Sequence, residues 1–139
     1  LKGKNMSHHH LFLSHSWKYS DTYNGLVTLL DNRENQDFTY SNFSVPKDDP
    51  IHDADNDEQL RAAIKAQMVK CSKIIILAGV YATYSKWINI EIELAKEMGK
   101  KIIAVEPYKA ERTSSIVKNS ADRIVTWNSR SLVNAIKEL

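Results

Sequence analysis

The hexapeptide Lys73-Ile74-Ile75-Ile76-Leu77-Ala78 restricts the folds open to this chain more than any other feature. Beyond its first residue it is continuously apolar, so as a strand it has no face to turn to water. It falls far short of the roughly 18 apolar residues that span a bilayer. A strand of this kind is central and covered on both faces, as in a parallel sheet flanked by helices. The surrounding pattern agrees, because short apolar runs alternate with segments of helical periodicity.

A first strand is expected over residues 10–14, followed by a helix over 21–31 that Ser20 can cap and that buries Leu26, Val27, Leu29 and Leu30. A weaker strand follows over 38–43. Asp57 is the expected cap of a helix over 58–69 with Leu60, Ala63, Ile64 and Met68 inward. Downstream of the apolar hexapeptide come a helix that Ser85 can cap and Gly99 can end, and a strand over 101–106 stopped by Pro107. A short helix over 114–119, a strand over 123–127 and a last helix after Asn128 or Ser129, with Leu132, Val133, Ile136 and Leu139 inward, complete the series. Strands and helices alternating in this way predict an α/β fold. The expected form is a flavodoxin-like three-layer sandwich with a five-stranded parallel sheet in the order 2-1-3-4-5.

The segment SKWINIEIELAKEMG, residues 85–99, contains the informative irregularity. Projected at about 100° per residue, Trp87, Ile88, Ile92, Leu94, Ala95 and Met98 share one apolar arc. Asn89, Glu93 and Lys96 fall opposite, as solvated positions. Glu91 alone breaks the sorting, because it projects between Met98 and Ala95. In a doubly wound sheet the ligand crevice lies beyond the carboxyl ends of the strands, beside the switch point between strands one and three. Residues 14–17 and 81–87 border that place, and Glu91 sits in the second turn of the helix that strand three feeds.

The residues themselves leave two readings of Glu91 open: a carboxylate held for structure by amides or a nearby lysine, and a reacting group. Ser14 and Ser16 read equally as turn residues, His15 as a hydrogen-bonded structural histidine, and Tyr81 and Trp87 as core. Familiar uses of the fold fail by residue. A phospho-receiver needs an aspartate ending strand three, where Ala78 and Gly79 stand. A flavodoxin needs a glycine-rich phosphate loop after strand one, and SHSWK has no glycine. Neither GxGxxG nor a P-loop occurs.

Composition removes further classes. A net charge of +2 without a basic stripe gives no reason to expect nucleic acid as a partner. Cys71 is the one cysteine, so no intrachain disulfide forms, and its place before the apolar strand reads as a buried structural thiol. His8, His9 and His10 are consecutive and cannot all share one face, so no metal site is expected. No run suits a membrane, and residues 1–10 are too polar for a signal peptide, which makes a cytoplasmic location the expectation. The loop over 44–56, with Pro46, Pro50 and clustered aspartates, is long enough to expect a function.

The stretches HHLFLSHSW and YSKWINIEIELA resemble two motifs of TIR domains, the second through a tryptophan followed four residues later by a glutamate. Together with SVPKDDPIH, AGVYATYSKWI and ADRIVTWN they resemble the bacterial TIR-like family that includes the TIR subunit of Thoeris anti-phage systems. Two features depart from the usual TIR pattern: Ile88 stands where many members have cysteine, and the loop over 46–57 lacks glycine. On this resemblance residues 10–139 form a single TIR-like domain, and residues 1–9 are an N-terminal extension, native or left from cloning. The resemblance implies cleavage of NAD at the nicotinamide–ribose bond, yielding an ADP-ribose-type product, linear, cyclic or conjugated, that acts as a signal in anti-phage defence. It assigns Glu91 as the catalytic residue. It implies substrate binding by Ser14, His15, Ser16, Trp17, Lys47, Asp48, Tyr84, Ser85 and Trp87, with Trp17, Tyr84 or Trp87 stacking on a substrate ring. NAD is then a substrate and no cofactor is needed. The implied partners are other TIR domains and a nucleotide-sensing effector reached by the diffusible product.

One carboxylate suffices for that chemistry. Glycosidases use a second carboxylic acid to protonate a poor leaving group. Nicotinamide in NAD is cationic and departs neutral, so the remaining task is to stabilise the oxocarbenium-like charge. The competing classes are a non-catalytic TIR-type interaction module and a glycosyl-transfer enzyme acting on nucleosides.

Overall fold

In the computed structural model the apolar hexapeptide supplies β3 (Lys73–Leu77), every residue of which is buried. The structure describes residues 7–14, 22–32, 34, 37–43, 57–79, 86–108 and 112–139. The sheet also contains β1 (Ser7–Leu13), β2 (Phe38–Asn42), β4 (Lys101–Val105) and β5 (Arg123–Val125), in the order β2-β1-β3-β4-β5. All four pairings are parallel, with Phe12 opposite Ile74, Ile74 opposite Ile102, and Ala104 opposite Ile124. Among the described residues, α1 (Thr22–Leu30), α2 (Asp57–Met68), α3 (Lys86–Glu97) and α4 (Ser115–Ser120) lie between successive strands, and α5 (Ser129–Glu138) follows the last. This is the flavodoxin-like order expected from the alternating pattern.

The period of two along each strand divides the core into two layers. Phe12, Ile74, Ile76, Ile102 and Ala104 pack with Ile64 and Met68 of α2, Ile88, Leu94 and Ala95 of α3, and Val117 of α4. Leu11, Leu13, Ile75, Leu77, Ile103 and Val105 pack with Leu26 and Leu30 of α1 and Leu132, Val133 and Ile136 of α5. Phe12 is 0% exposed, so its truncation to alanine is expected to cost about 3–5 kcal/mol. Cys71 is buried, and its thiol donates to the carbonyl of Gln67 at 3.6 Å.

Several boundaries differ from expectation. The first strand begins at Ser7 rather than at residue 10, because the three histidines pair with β2: His8 opposite Thr39, His9 opposite Tyr40 and His10 opposite Ser41. Cross-strand contacts compensate for their polarity. His8 bonds Thr39 and Ser41 at 2.8 Å, while His9 stacks on Phe38 and His10 on Phe43. Asp57 is not a cap but the first residue of α2, where its carboxylate meets Lys86 at 3.1 Å. β5 stops at Val125, two residues early, and the chain turns into the Asn128 cap, whose side chain accepts from the backbone N–H of Ser131. Ile90 of α3 is also buried, although it lies off the apolar arc.

The end of α3 shows why Gly99 stands there. Its φ of +68° lets Lys100 N–H reach the Ala95 carbonyl at 2.9 Å and Gly99 N–H reach that of Lys96 at 3.3 Å. That is the Schellman arrangement, closed by a residue without a Cβ. It fixes the length of α3 and returns the chain directly into β4.

Candidate functional site

Ser14 follows the last residue of β1, and its backbone N–H still donates to Ile75 of β3 at 3.0 Å. It is therefore held at the carboxyl edge of the sheet, between the first and third strands. Alternation places its side chain on the same face as Phe12, under α3. There its hydroxyl donates to Oε1 of Glu91 at 2.5 Å. Ser14 is 3% exposed and Glu91 0%. The inward carboxylate of the helical projection is thus a buried group at the switch-point end of the sheet, in a helix whose Ile88, Ile92, Leu94 and Ala95 are also buried.

Of the remaining expected site residues, Trp87 lies in the first turn of α3, half-buried and packed against the core layer that contains Ile88. His15, Ser16, Trp17, Lys47, Asp48, Tyr84 and Ser85 lie outside the described residues, as does Tyr81.

Three features near the site escaped sequence reasoning. Arg61 of α2 bonds Glu93 at 2.9 Å and also Glu97, tying the outer side of α3 to α2. Its guanidinium is held above its ordinary range, first by the bond to Glu93 and then by that to Glu97. The spacing of Glu93 and Glu97 by one helical turn is the only local trace of this clamp. A polar groove lined by Asp57, Arg61, Lys86, Asn89, Ile90 and Glu93 runs beside it. Its cations are paired with its own acids, and neither Ser14 nor Glu91 lines it.

Second, the segment after β4 folds back over the end of β3. Gly79 and Thr113 form an antiparallel bridge, and Ser114 N–H donates to the Ala78 carbonyl at 3.0 Å. Third, Trp127 lies against α1, where a Cβ on Gly25 would come within 2.8 Å of its indole. A residue whose only virtue is its small size has no periodic signature to find.

Among the described residues no group of three or more histidine, cysteine, aspartate or glutamate side chains could hold a metal ion. Among them, too, no helix is long and apolar enough to cross a membrane.

A doubly wound α/β domain with a buried serine–glutamate pair at its switch point is the class that fold and site define. Residues 12–112 match the family described as Thoeris protein ThsB, TIR-like domain, and the chain belongs to that family. No curated protein matches the chain. Two solved structures share its fold. The Clostridium botulinum CMP N-glycosidase BcmB has 18% identity and a TM-score of 0.50, the match covering 94% of this chain and 99% of that one. A conserved protein from Enterococcus faecalis V583 has 10% identity and a TM-score of 0.61, over 95% of this chain and 99% of that one.

Proposed function

We infer that this domain cleaves the N-glycosidic bond between nicotinamide and ribose in NAD, with Glu91 as the catalytic residue. The observation that carries the reading is the Ser14–Glu91 pair, a carboxylate buried at the ligand end of the sheet and gripped by a hydroxyl. A buried carboxylate is costly to a fold, and such groups concentrate where chemistry needs them. Membership of the ThsB TIR-like family supports the class, and the CMP N-glycosidase of similar fold supports the type of bond.

In this mechanism the C1′–N bond breaks with its electron pair passing to the nicotinamide ring, which leaves neutral. Positive charge develops on C1′ and the ribose ring oxygen. Ionised Glu91 stabilises that charge, and the water-poor wall around it strengthens the interaction. Ser14 acts as a positioning residue that sets the carboxylate's rotamer. Water, or a hydroxyl of the substrate or a second molecule, then attacks C1′ and loses a proton, giving linear, cyclic or conjugated ADP-ribose. Ser14, His15, Ser16, Trp17, Lys47, Asp48, Tyr84, Ser85 and Trp87 remain the proposed substrate-binding set. A cytoplasmic setting, TIR–TIR association, a nucleotide-sensing effector and a role in anti-phage defence belong to the same proposal.

The complete burial of Glu91 favours a second reading, in which the pair only holds β1 to α3 in a non-catalytic interaction module. Incubation with NAD, with mass spectrometry of nicotinamide and ADP-ribose products, separates the two. The expected result is release by the wild type and none by Glu91→Gln. Equal turnover by both proteins would remove Glu91 from the mechanism, and a wild type silent toward NAD in every oligomeric state would favour the module.

A further inference from the structure

We propose that Lys73 is a carbamylation site, its side-chain amine taking up carbon dioxide to form a carbamate that His9 holds. The site lies at the amino edge of the sheet, whereas Ser14 and Glu91 lie at the carboxyl edge, and it does not depend on the NAD reading. Lys73 opens β3, opposite Leu11 of β1 and Lys101 of β4. Alternation turns it to the face of Ile75 and Leu77, under α1 and α5. His9 lies two residues before Leu11, shares that face with it and stacks on Phe38. Lys73 and His9 are therefore diagonal neighbours on adjacent strands, a spacing that long side chains bridge.

Two polar groups here lack what burial demands. Lys73 is 8% exposed, yet among the described residues its ammonium has neither a hydrogen bond nor an ion pair. Nε2 of His9 is buried with no hydrogen-bond partner. A buried cation without a counter-ion is costly, and loss of its charge relieves that cost. Desolvation accordingly lowers the Lys73 ammonium below its ordinary range, which raises the share of free amine. An amine in that state is a nucleophile.

The surrounding charges select the electrophile. Lys73, His8 and Lys137 each act on the His9 ring as positive charges. Lys101 on the next strand adds another. The acids on the neighbouring elements are already engaged: Asp37 with Lys137 at 2.7 Å, Glu138 with Arg123 at 2.7 Å, and Asp31 with the Tyr40 hydroxyl at 2.9 Å. Acylation would leave the lysine neutral, and an aldehyde would leave it neutral or cationic. Carbon dioxide inverts its charge, placing an anion among cations, and is small and uncharged enough to enter a site this closed. In the step, the Nζ lone pair bonds to the carbon of carbon dioxide and one C–O π pair moves onto oxygen. Nζ releases one proton to solvent, so the side chain ends with a single negative charge. The carbamate oxygens then accept from His9 Nε2–H, satisfying both groups at once.

The test uses the whole chain, equilibrated at pH 8 with isotopically labelled bicarbonate and carbon dioxide and followed by carbon NMR. Parallel samples are treated with triethyloxonium, which esterifies a carbamate, and mapped by tryptic mass spectrometry, with melting temperature as the folding control. The expected result is a carbamate resonance that saturates with carbon dioxide and a trapped adduct on Lys73. Both should be absent from Lys73→Met. His9→Phe, which keeps a ring against Phe38 and donates no hydrogen bond, should lower occupancy about tenfold at fixed carbon dioxide. Should Lys73→Met fail to fold, the wild-type peptide map carries the decision, because it locates the adduct without a variant. Absence of an adduct from Lys73 in the folded wild type would overturn the site, as would trapping no greater there than on the exposed Lys101. Unchanged occupancy in folded His9→Phe would overturn the pairing with His9.

Discussion

The Ser14 hydroxyl donates to Glu91 Oε1 across 2.5 Å, joining the end of the first strand to the second turn of the third helix. These residues are 77 positions apart in the chain. Their contact forms only when β1 and β3 are paired and α3 has packed back over them, so it reports the finished fold at the place where a ligand would enter.

Ser14→Ala should therefore affect both stability and rate. Hydrogen bonds to charged groups contribute about 1.5–3 kcal/mol, and removing the donor leaves part of a buried carboxylate unsatisfied. The expected outcome is a kcat for NAD lower by about ten- to a hundredfold. The acid limb of the pH–rate profile should move to higher pH, because the remaining carboxylate takes up a proton more readily. Ser14→Thr, which keeps the hydroxyl, should recover most of the activity. An unshifted acid limb in the alanine variant would show that Ser14 is a packing residue and nothing more.

Replacing Glu91 itself should expose a conflict between stability and function. Glu91→Gln retains an acceptor for Ser14 and removes a buried charge, whose desolvation often outweighs its favourable contacts. Its Tm is expected to rise by about 2–5 °C while NAD cleavage disappears. A clear fall in Tm, measured by calorimetry, would make the ionised carboxylate part of what holds the fold and would support the non-catalytic module.

Cys71 should behave as an inert thiol. Burial is the main cause that pushes it up to about 11, against the smaller opposing effect of Lys100 and Lys70. At pH 8 the thiolate fraction is then lower than that of a free cysteine by roughly two orders of magnitude. Reaction of the native protein with a disulfide reagent at pH 8 should be slow, and addition of guanidinium should make it immediate. Prompt labelling in the native state would contradict the packing of the turn between α2 and β3.

How far the sequence was legible follows from which interactions are local. β3 was readable because an apolar run is itself the signal of burial on both faces. The inward direction of Glu91 was readable because helical periodicity is local, and its place near the crevice followed from strand order. The start of β1 was not readable, since His8, His9 and His10 look like a polar tail until β2 supplies Thr39, Ser41 and the Phe38 ring. Glu93 was correctly placed outward, at 63% side-chain exposure, yet its bond to Arg61 depends on how α2 and α3 lie together. Gly25 and Trp127 meet only when α1 and the loop after β5 are brought to the same end of the sheet. In each case the missing information was a distance between segments far apart in the chain.

The amino end of the sheet supplies a pH dependence separate from any catalysis. The His9 ring is half-buried, stacked on Phe38, and its Nε2 is buried with no hydrogen-bond partner. Burial first, and then the charges of Lys73, His8 and Lys137, hold its pKa below the ordinary 6.5. Lys73 is buried beside it, and its own ammonium is likewise lowered by desolvation. The unfolded chain therefore binds a proton at His9 more readily than the folded one. Stability attributable to this residue is complete above pH 6.5 and declines as pH falls from 6.5 through the folded value. Urea unfolding between pH 7.5 and 5 should show that decline. His9→Phe, which keeps a ring against Phe38 and cannot titrate, should flatten it. An identical pH slope in that variant would move the acid sensitivity to another group.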